Sequence, residues 1–202
     1  MRTIKKEIRY LTIQQLETRS TSEGSDSITI VGYAAKFNTR SRLLYGEFFE
    51  KIAQGAFTLT LREDTIKALW NHNSDMVLGS TKSGTLRLYE DQIGLRMEID
   101  LPNSTWGHDA YESVNRGDVD GVSFGMYVRR DSVVYLPDED VYERTLLDIE
   151  LFEVSPTAFP AYEDSEVETE SRTLEDLGIV PKEIRNLAEL EQLLIQIELM
   201  GV

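Results

Sequence analysis

The chain has 202 residues, a formal net charge of −15 and no cysteine. This length suits one domain with an appendage, and 41% apolar residues are enough for a buried core. The acidic charge argues against a nucleic-acid partner, and the absence of cysteine excludes disulfides and cysteine–metal sites. No apolar run reaches the roughly 18 residues of a membrane helix, so we expect no membrane partner.

The first third of the chain is predicted to be mostly β. Residues 4–17 indicate a strand in preference to a short helix, and the polar run 18–27 indicates a loop. Residues 28–37 then predict a buried strand, followed by a second strand at 47–52. A short helix is expected over 55–64.

The middle of the chain combines short strands with one longer helix. Strands are predicted at 66–70 and 76–79, and a hairpin is predicted to pair 85–89 with 93–101. Ser104 is a suitable N-cap for a helix over 105–116, which ends at a glycine.

The most informative stretch is the strand predicted from residue 121 to 136. Its apolar residues alternate with Ser123, so a period of two points the serine away from the apolar face. Gly121 and Gly125 flank the serine on its own face and leave clearance for a substrate. Ser123 is therefore a candidate nucleophile, although a G-x-S-x-G match alone is common and an ordinary strand serine would look the same.

The last part of the chain returns along the serine strand and then changes character. Residues 141–154 predict its hairpin partner, 163–170 an acidic linker, and the apolar stripe over 184–197 a terminal amphipathic helix. We therefore expect an N-terminal segment at 1–27, a domain at 28–162 and a tail at 163–202. Many short strands with few helices indicate a mostly-β barrel or sandwich.

A serine hydroxyl needs a base within hydrogen-bond reach, and histidine is the side chain closest to neutrality. The chain has two histidines. His72 follows a strand at an edge expected to line a pocket, whereas His108 is expected to face solvent from its helix. With two histidines and no cysteine, we expect neither a metal nor a cofactor.

The base benefits from a third group that fixes its tautomer, and two acids on the returning strand are candidates. Glu153 lies among apolar neighbours, where a carboxylate needs a partner, and Glu150 falls on the opposite face. The structural alternative for Glu153 is an ion pair with Arg129 or Arg130.

Seven motifs in register resemble the prohead (capsid maturation) proteases of tailed bacteriophages, of the HK97 type. They are GYAAKFN at 32–38, IAQGAF at 52–57, ALWNHN at 68–73, VLGSTKSGTL at 77–86, GDVDGVSFG at 117–125, LFEVSP at 151–156 and FPA at 159–161. Each motif alone is weak, but the ordered set covers most of the chain and is specific.

The resemblance implies a serine endopeptidase with a fold similar to the herpesvirus assemblins, a β-barrel surrounded by a few helices. It implies His72 as general base, Ser123 as nucleophile and an acid as third member, for which we choose Glu153 with Glu150 in reserve. Arg129 and Arg130 are auxiliary candidates for stabilising the oxyanion.

The resemblance also implies partners and a location. The substrates would be the scaffold segment of the major capsid protein and the protease itself, inside the immature prohead in the host bacterial cytoplasm. The C-terminal tail is a candidate targeting element, homodimer contact or segment removed by self-processing. A non-catalytic assembly or scaffolding protein on the same barrel is the alternative. An α/β-hydrolase is disfavoured, because its elbow needs a strand-to-helix turn at the serine and a histidine after it.

Overall fold

The computed structural model describes residues 6–12, 16–20, 28–158, 173–174 and 177–179. The strands there are β1 (Lys6–Thr12), β2 (Glu17–Ser20), β3 (Ile28–Lys36), β4 (Phe48–Ile52), β5 (Lys67–Trp70), β6 (Asn73–Ser80), β7 (Leu86–Glu90), β8 (Gly94–Asp100), β9 (Gly121–Leu136) and β10 (Val141–Thr157). The helices are α1 (Thr58–Glu63) and α2 (Thr105–Asn115). Neither helix is long and apolar enough to cross a membrane.

The described strands form two sheets. The larger has the order β1-β9-β10-β5-β6, with β4 also paired to β10, and the smaller has the order β2-β3-β8-β7. The long antiparallel pair β9–β10 is the centre of the larger sheet, and β10 also pairs in parallel with β4 and β5. The strands curl into a half-barrel accompanied by two helices, which confirms the mostly-β prediction.

The core follows from alternating apolar residues along the strands. In β8, Leu95, Met97 and Ile99 are fully buried while the polar residues between them are partly exposed. Phe57 at the start of α1 packs edge-to-face on Phe124 of β9, with ring centroids 6.2 Å apart. Each such side chain contributes about 1.5–3 kcal/mol when it is fully buried.

Helix α2 begins and is placed as its sequence predicts. The side chain of Ser104 accepts a hydrogen bond from the Gly107 amide, 3.2 Å away, and thereby caps the helix. Ala110 and Val114, four residues apart, form its buried stripe. A Cβ at Gly107 would lie 2.1 Å from the Pro102 carbonyl oxygen, so the close approach of helix and preceding chain requires glycine there.

A cluster of buried charges joins β1 to the rest of the larger sheet. Arg144 is fully buried and contacts Glu7, Glu50 and Asp131 at 2.8–2.9 Å, and Arg9 pairs with both glutamates. Burial alone would raise the pKa of Glu7, but the hydrogen bonds and charges of the two arginines hold that pKa below its ordinary value. We call these five residues the buried charge cluster.

Three sequence expectations at the ends of the chain have different outcomes. The loop predicted over 18–27 is wrong at its start, because β2 takes up Glu17–Ser20 and pairs with β3, which supplies its backbone hydrogen bonds. The acidic linker at 163–170 and the terminal helix at 184–197 lie outside the described residues. Leu174 is described and packs with Phe48 and Tyr142, so this part of the chain after residue 163 contacts the domain.

Candidate active site

His72 lies in a two-residue turn between β5 and β6. Trp70 and Asn73 pair on either side of the turn, and both residues within it have positive φ, +49° at Asn71 and +62° at His72. This is the pattern of a type I′ hairpin, whose handedness suits the twist of the strands. Positive φ costs a non-glycine residue free energy, so the surroundings must hold the histidine in place.

Three hydrogen bonds fasten this turn to the end of β10. The Asn71 amide donates to the Pro156 carbonyl at 3.1 Å, and the His72 amide donates to the Ser155 hydroxyl at 3.2 Å. The Thr157 hydroxyl donates to the Asn71 side chain at 2.7 Å. The position of the imidazole is therefore set by β10 as well as by the hairpin that carries it.

The imidazole of His72 is in contact with the carboxylate of Glu153. Nδ1 lies 2.7 Å from Oε1, and the other carboxylate oxygen, Oε2, accepts a hydrogen bond of 2.6 Å from Ser155. Glu153 is only 5% exposed. An ionised carboxylate can only accept, so with such a carboxylate this contact requires the proton on Nδ1 and leaves Nε2 as the basic nitrogen.

The hairpin of β9 and β10 puts Ser123 on the same face as this pair. Ser123 is directly opposite Ser155, and Gly125 is directly opposite Glu153. Residues two apart on a strand share a face, so the side chains of Ser123, Ser155 and Glu153 project from one side of the sheet. The arrangement brings a hydroxyl, an imidazole and a carboxylate to one region.

The Ser123 hydroxyl is engaged by a neighbouring strand. It donates a 2.9 Å hydrogen bond to the backbone carbonyl of Arg9, and the residue is fully buried. β1 pairs antiparallel with β9 here, with Tyr10 opposite Ser123. The Ser123 hydroxyl is therefore engaged and buried in the structure.

Contacts within the chain require glycine at position 125, apart from any clearance for a substrate. A Cβ at this position would lie 2.4 Å from the Phe152 ring and 2.8 Å from Oε1 of Glu153. The free side of Gly125 is thus filled by the carboxylate that contacts His72 and by the neighbouring ring. Gly121, opposite Thr157 at the start of β9, stays a prediction as a clearance residue.

The structure does not bring three of the predicted residues to the site. Glu150 pairs with Arg129, at 3.2 Å, and Arg129 also contacts Asp64, so Glu150 is wrong as an alternative partner of His72. Arg129 lies six residues beyond Ser123, about 20 Å at about 3.3 Å per strand residue. The exposed Arg130 is one residue further along the strand, and the described partners of Glu153 are His72 and Ser155.

His108 is exposed, as predicted. Its Nε2 lies 3.0 Å from the side-chain oxygen of Asn103, on the surface of α2. Among the described residues, no group of three histidine, cysteine, aspartate or glutamate side chains is arranged to hold a metal ion.

Sequence reasoning missed two residues of the site. Ser155 is two positions from Glu153 on the same strand face, so the spacing alone could have identified it. Arg9 is 114 residues from Ser123 along the chain and acts through its backbone carbonyl, for which a sequence carries no signal.

Three comparisons relate the chain to known proteins. The model of the caudovirus prohead serine protease family matches residues 14–178. The prohead protease of Enterobacteria phage HK97 is 28% identical over 162 residues, which cover 78% of this chain and 66% of that protein. The chain thus spans just under two thirds of that relative's length. The solved structure of the bacteriophage T4 capsid assembly protease, gp21, is similar with a TM-score of 0.47 at 8% identity, over 76% of this chain and 98% of that chain.

Proposed function

This chain belongs to the family of caudovirus prohead serine proteases, and from that premise we propose that it is a serine endopeptidase of capsid maturation. Ser123 is the nucleophile, His72 the general base and Glu153 the acid that orients the base. The observation that carries the assignment is the 2.7 Å contact between Nδ1 of His72 and Oε1 of Glu153, on the face of the sheet that carries Ser123.

The reaction begins when the Ser123 hydroxyl turns from the Arg9 carbonyl toward His72. Oγ attacks the carbonyl carbon of the substrate peptide while Nε2 of His72 takes the hydroxyl proton. Glu153 stays ionised and stabilises the imidazolium that forms. The imidazolium then gives its proton to the leaving amine, and a water molecule activated by the same nitrogen hydrolyses the acyl-enzyme. Backbone N–H groups are the proposed oxyanion donors, since Arg129 and Arg130 are too distant.

Ser155 has a positioning role in this scheme. Its hydroxyl donates to Oε2 of Glu153 and accepts from the His72 amide, so one side chain fixes both the carboxylate and the turn that carries the base. Because these hydrogen bonds hold the base in place beforehand, it loses little rotational freedom when the substrate binds.

The proposed substrates are the scaffold segment of the major capsid protein and the protease itself, cleaved inside the immature prohead. Family membership supports this class of substrate, as does the HK97 relative, which is itself a prohead protease. An endopeptidase of this kind acts on extended segments, because the bond to be cut must approach a serine within a strand.

The test is co-expression of the capsid protein with the wild-type chain, with Ser123→Ala and with Ser132→Ala. Ser132 lies exposed on the same strand and serves as the matched control. We expect the wild type and the control to remove the scaffold segment, as followed by gel and intact mass, and Ser123→Ala to leave it uncut. Processing that persists with Ser123→Ala contradicts the assignment. Normal shells without any processing in the wild type would favour the non-catalytic scaffolding function.

A further inference from the structure

β1 lies along one edge of β9, the strand that carries the nucleophile. Seven antiparallel pairs run from Lys6 opposite Tyr127 to Thr12 opposite Gly121. The other edge of β9 is taken by β10, so β1 occupies the one edge at which another strand could be added beside Ser123.

We propose that this edge of β9 is the binding site for an extended substrate segment, and that β1 is its occupant within the same chain. The inference rests on the proposed function and extends it to the mode of substrate binding. In the resting chain β1 excludes the substrate, and a substrate strand binds when β1 leaves.

The backbone geometry at Ser123 supports an occupant that resembles a substrate. The hydroxyl donates to a peptide carbonyl, that of Arg9, at 2.9 Å. A peptide bond that is to be cut must also place its carbonyl beside this hydroxyl. A strand added at a sheet edge is held by main-chain hydrogen bonds, which any extended segment can make. β1 therefore takes a place that a substrate backbone would fill, and it leaves Ser123 fully buried.

The buried charge cluster allows β1 to leave without a change in net charge. β1 contributes one acid, Glu7, and one base, Arg9, while Glu50, Asp131 and Arg144 come from other strands. When β1 is absent, Arg144 keeps its contacts with Glu50 at 2.9 Å and with Asp131 at 2.8 Å. A buried charge without a partner destabilises the fold, but Arg144 still has two partners when β1 is absent.

The family match covers the proposed binding edge and does not reach its occupant. The match begins at residue 14, after β1 has ended at Thr12, and it includes Ser123, His72 and Glu153. The proposed binding edge belongs to the matched part of the chain, whereas its occupant precedes that part.

A reversible crosslink in the full chain tests the proposal. Lys6→Cys with Tyr127→Cys places two thiols on directly opposed residues of β1 and β9. Opposed residues of an antiparallel pair lie about 4.5–5.5 Å apart between Cα atoms, within the range for a disulfide. The natural chain has no cysteine, so no other disulfide can form within one chain, and intact mass separates this species from disulfide-linked dimers. The control pair, Arg87→Cys with Glu98→Cys, crosslinks β7 to β8 in the other sheet in the same way.

The readouts are the rate at which a fluorophosphonate labels Ser123 and the processing of co-expressed or added capsid protein. Oxidation of the β1–β9 pair should slow labelling at least about tenfold, a change of about 1.4 kcal/mol, and reduction should restore it. The control pair should label equally in both redox states. Glu7→Gln, which weakens the attachment of β1, should label faster than the wild type.

Two results separate failure of this inference from failure of the proposed function. Equal labelling of the oxidised and reduced β1–β9 pair, with the disulfide confirmed by mass, overturns the occlusion by β1 and leaves the serine mechanism intact. Absence of labelling in every variant and redox state, with capsid protein left uncut, contradicts the serine mechanism itself and the inference with it.

Discussion

The imidazole of His72 and the carboxylate of Glu153 meet at 2.7 Å although 81 residues separate them in the chain. Two local structural features, a turn and a hairpin, produce this contact. A two-residue turn with positive φ presents the histidine, and the long β9–β10 hairpin places the glutamate opposite Gly125. Ser155 links the turn to the hairpin, since it hydrogen-bonds both the carboxylate of Glu153 and the backbone of the turn.

Replacement of Glu153 by glutamine should nearly abolish turnover. The amide cannot stabilise an imidazolium and can select the wrong tautomer, so we expect kcat to fall by about 10³–10⁴-fold. Glu150→Gln is the matched control and should change kcat by less than about threefold, because Glu150 is partly exposed and pairs with Arg129. Single-turnover cleavage of a scaffold peptide measures both. A comparable loss in the two variants would contradict the choice of Glu153.

Removal of the Ser155 hydroxyl should lower kcat with little effect on KM. The hydroxyl makes two hydrogen bonds in a buried setting, and their loss at about 1–3 kcal/mol corresponds to roughly 5- to 150-fold. Ser155→Ala is compared with Ser132→Ala, an exposed serine on β9. Steady-state kinetics on a scaffold peptide separate the two constants. If the two variants behave alike, Ser155 has no positioning role.

Gly125→Ala should disturb both folding and catalysis, because its Cβ would lie 2.4 Å from the Phe152 ring and 2.8 Å from the oxygen of Glu153 that contacts His72. We expect about 1–3 kcal/mol of lost stability from overpacking, together with a larger loss of activity.

Adding Phe152→Ala to Gly125→Ala removes the ring contact but leaves the conflict with Glu153. The double variant should therefore lose less stability than the sum of the single variants while staying weakly active. Denaturant unfolding and peptide cleavage measure the two effects. Strict additivity of the free energies of unfolding would show that the ring and the new Cβ do not conflict.

Stability should fall in acid partly through Glu7. Because its pKa in the folded chain lies below its ordinary value of 4.5, the stabilisation from Glu7 is complete above that pH and is lost as the pH falls below it. We expect the melting temperature of the wild type to drop more steeply than that of Glu7→Gln between about pH 5 and pH 3. Lowered pKa values are also found for Asp91, Asp100 and Glu143. These residues are present in the wild type and in Glu7→Gln alike, so they do not account for a difference between the two profiles. Parallel profiles would contradict the contribution of Glu7.

Local signals in the sequence predicted most of the fold between residues 28 and 157. The alternation in β8 and the Ser104 cap of α2 depend on neighbouring residues alone, and both agree with the structure. β2 was missed because its polar residues form a strand only when β3 supplies a pairing edge. Its strand conformation is thus a property of the pair.

In the candidate site, too, local sequence patterns were predictable and contacts between distant segments were not. The alternation along β10 separates Glu153 from Glu150, and this separation agrees with their different partners in the structure. The oxyanion expectation for Arg129 and Arg130 gains no support from the structure, because six and seven residues of strand β9 separate them from Ser123. The positive-φ turn at His72 was not predicted, because Asn-His is an uncommon choice for a type I′ turn.

By itself the sequence determined the strand that carries Ser123, the hairpin that returns beside it and the chemistry of the candidate residues, because these depend on side-chain type and short-range periodicity. Only the tertiary structure decided that the hydroxyl of Ser123 is held by the Arg9 carbonyl and that β1 is anchored through Glu7 and Arg144. Backbone carbonyls are the same in every residue, and buried ion pairs join distant segments. Neither can be identified before the chain is folded.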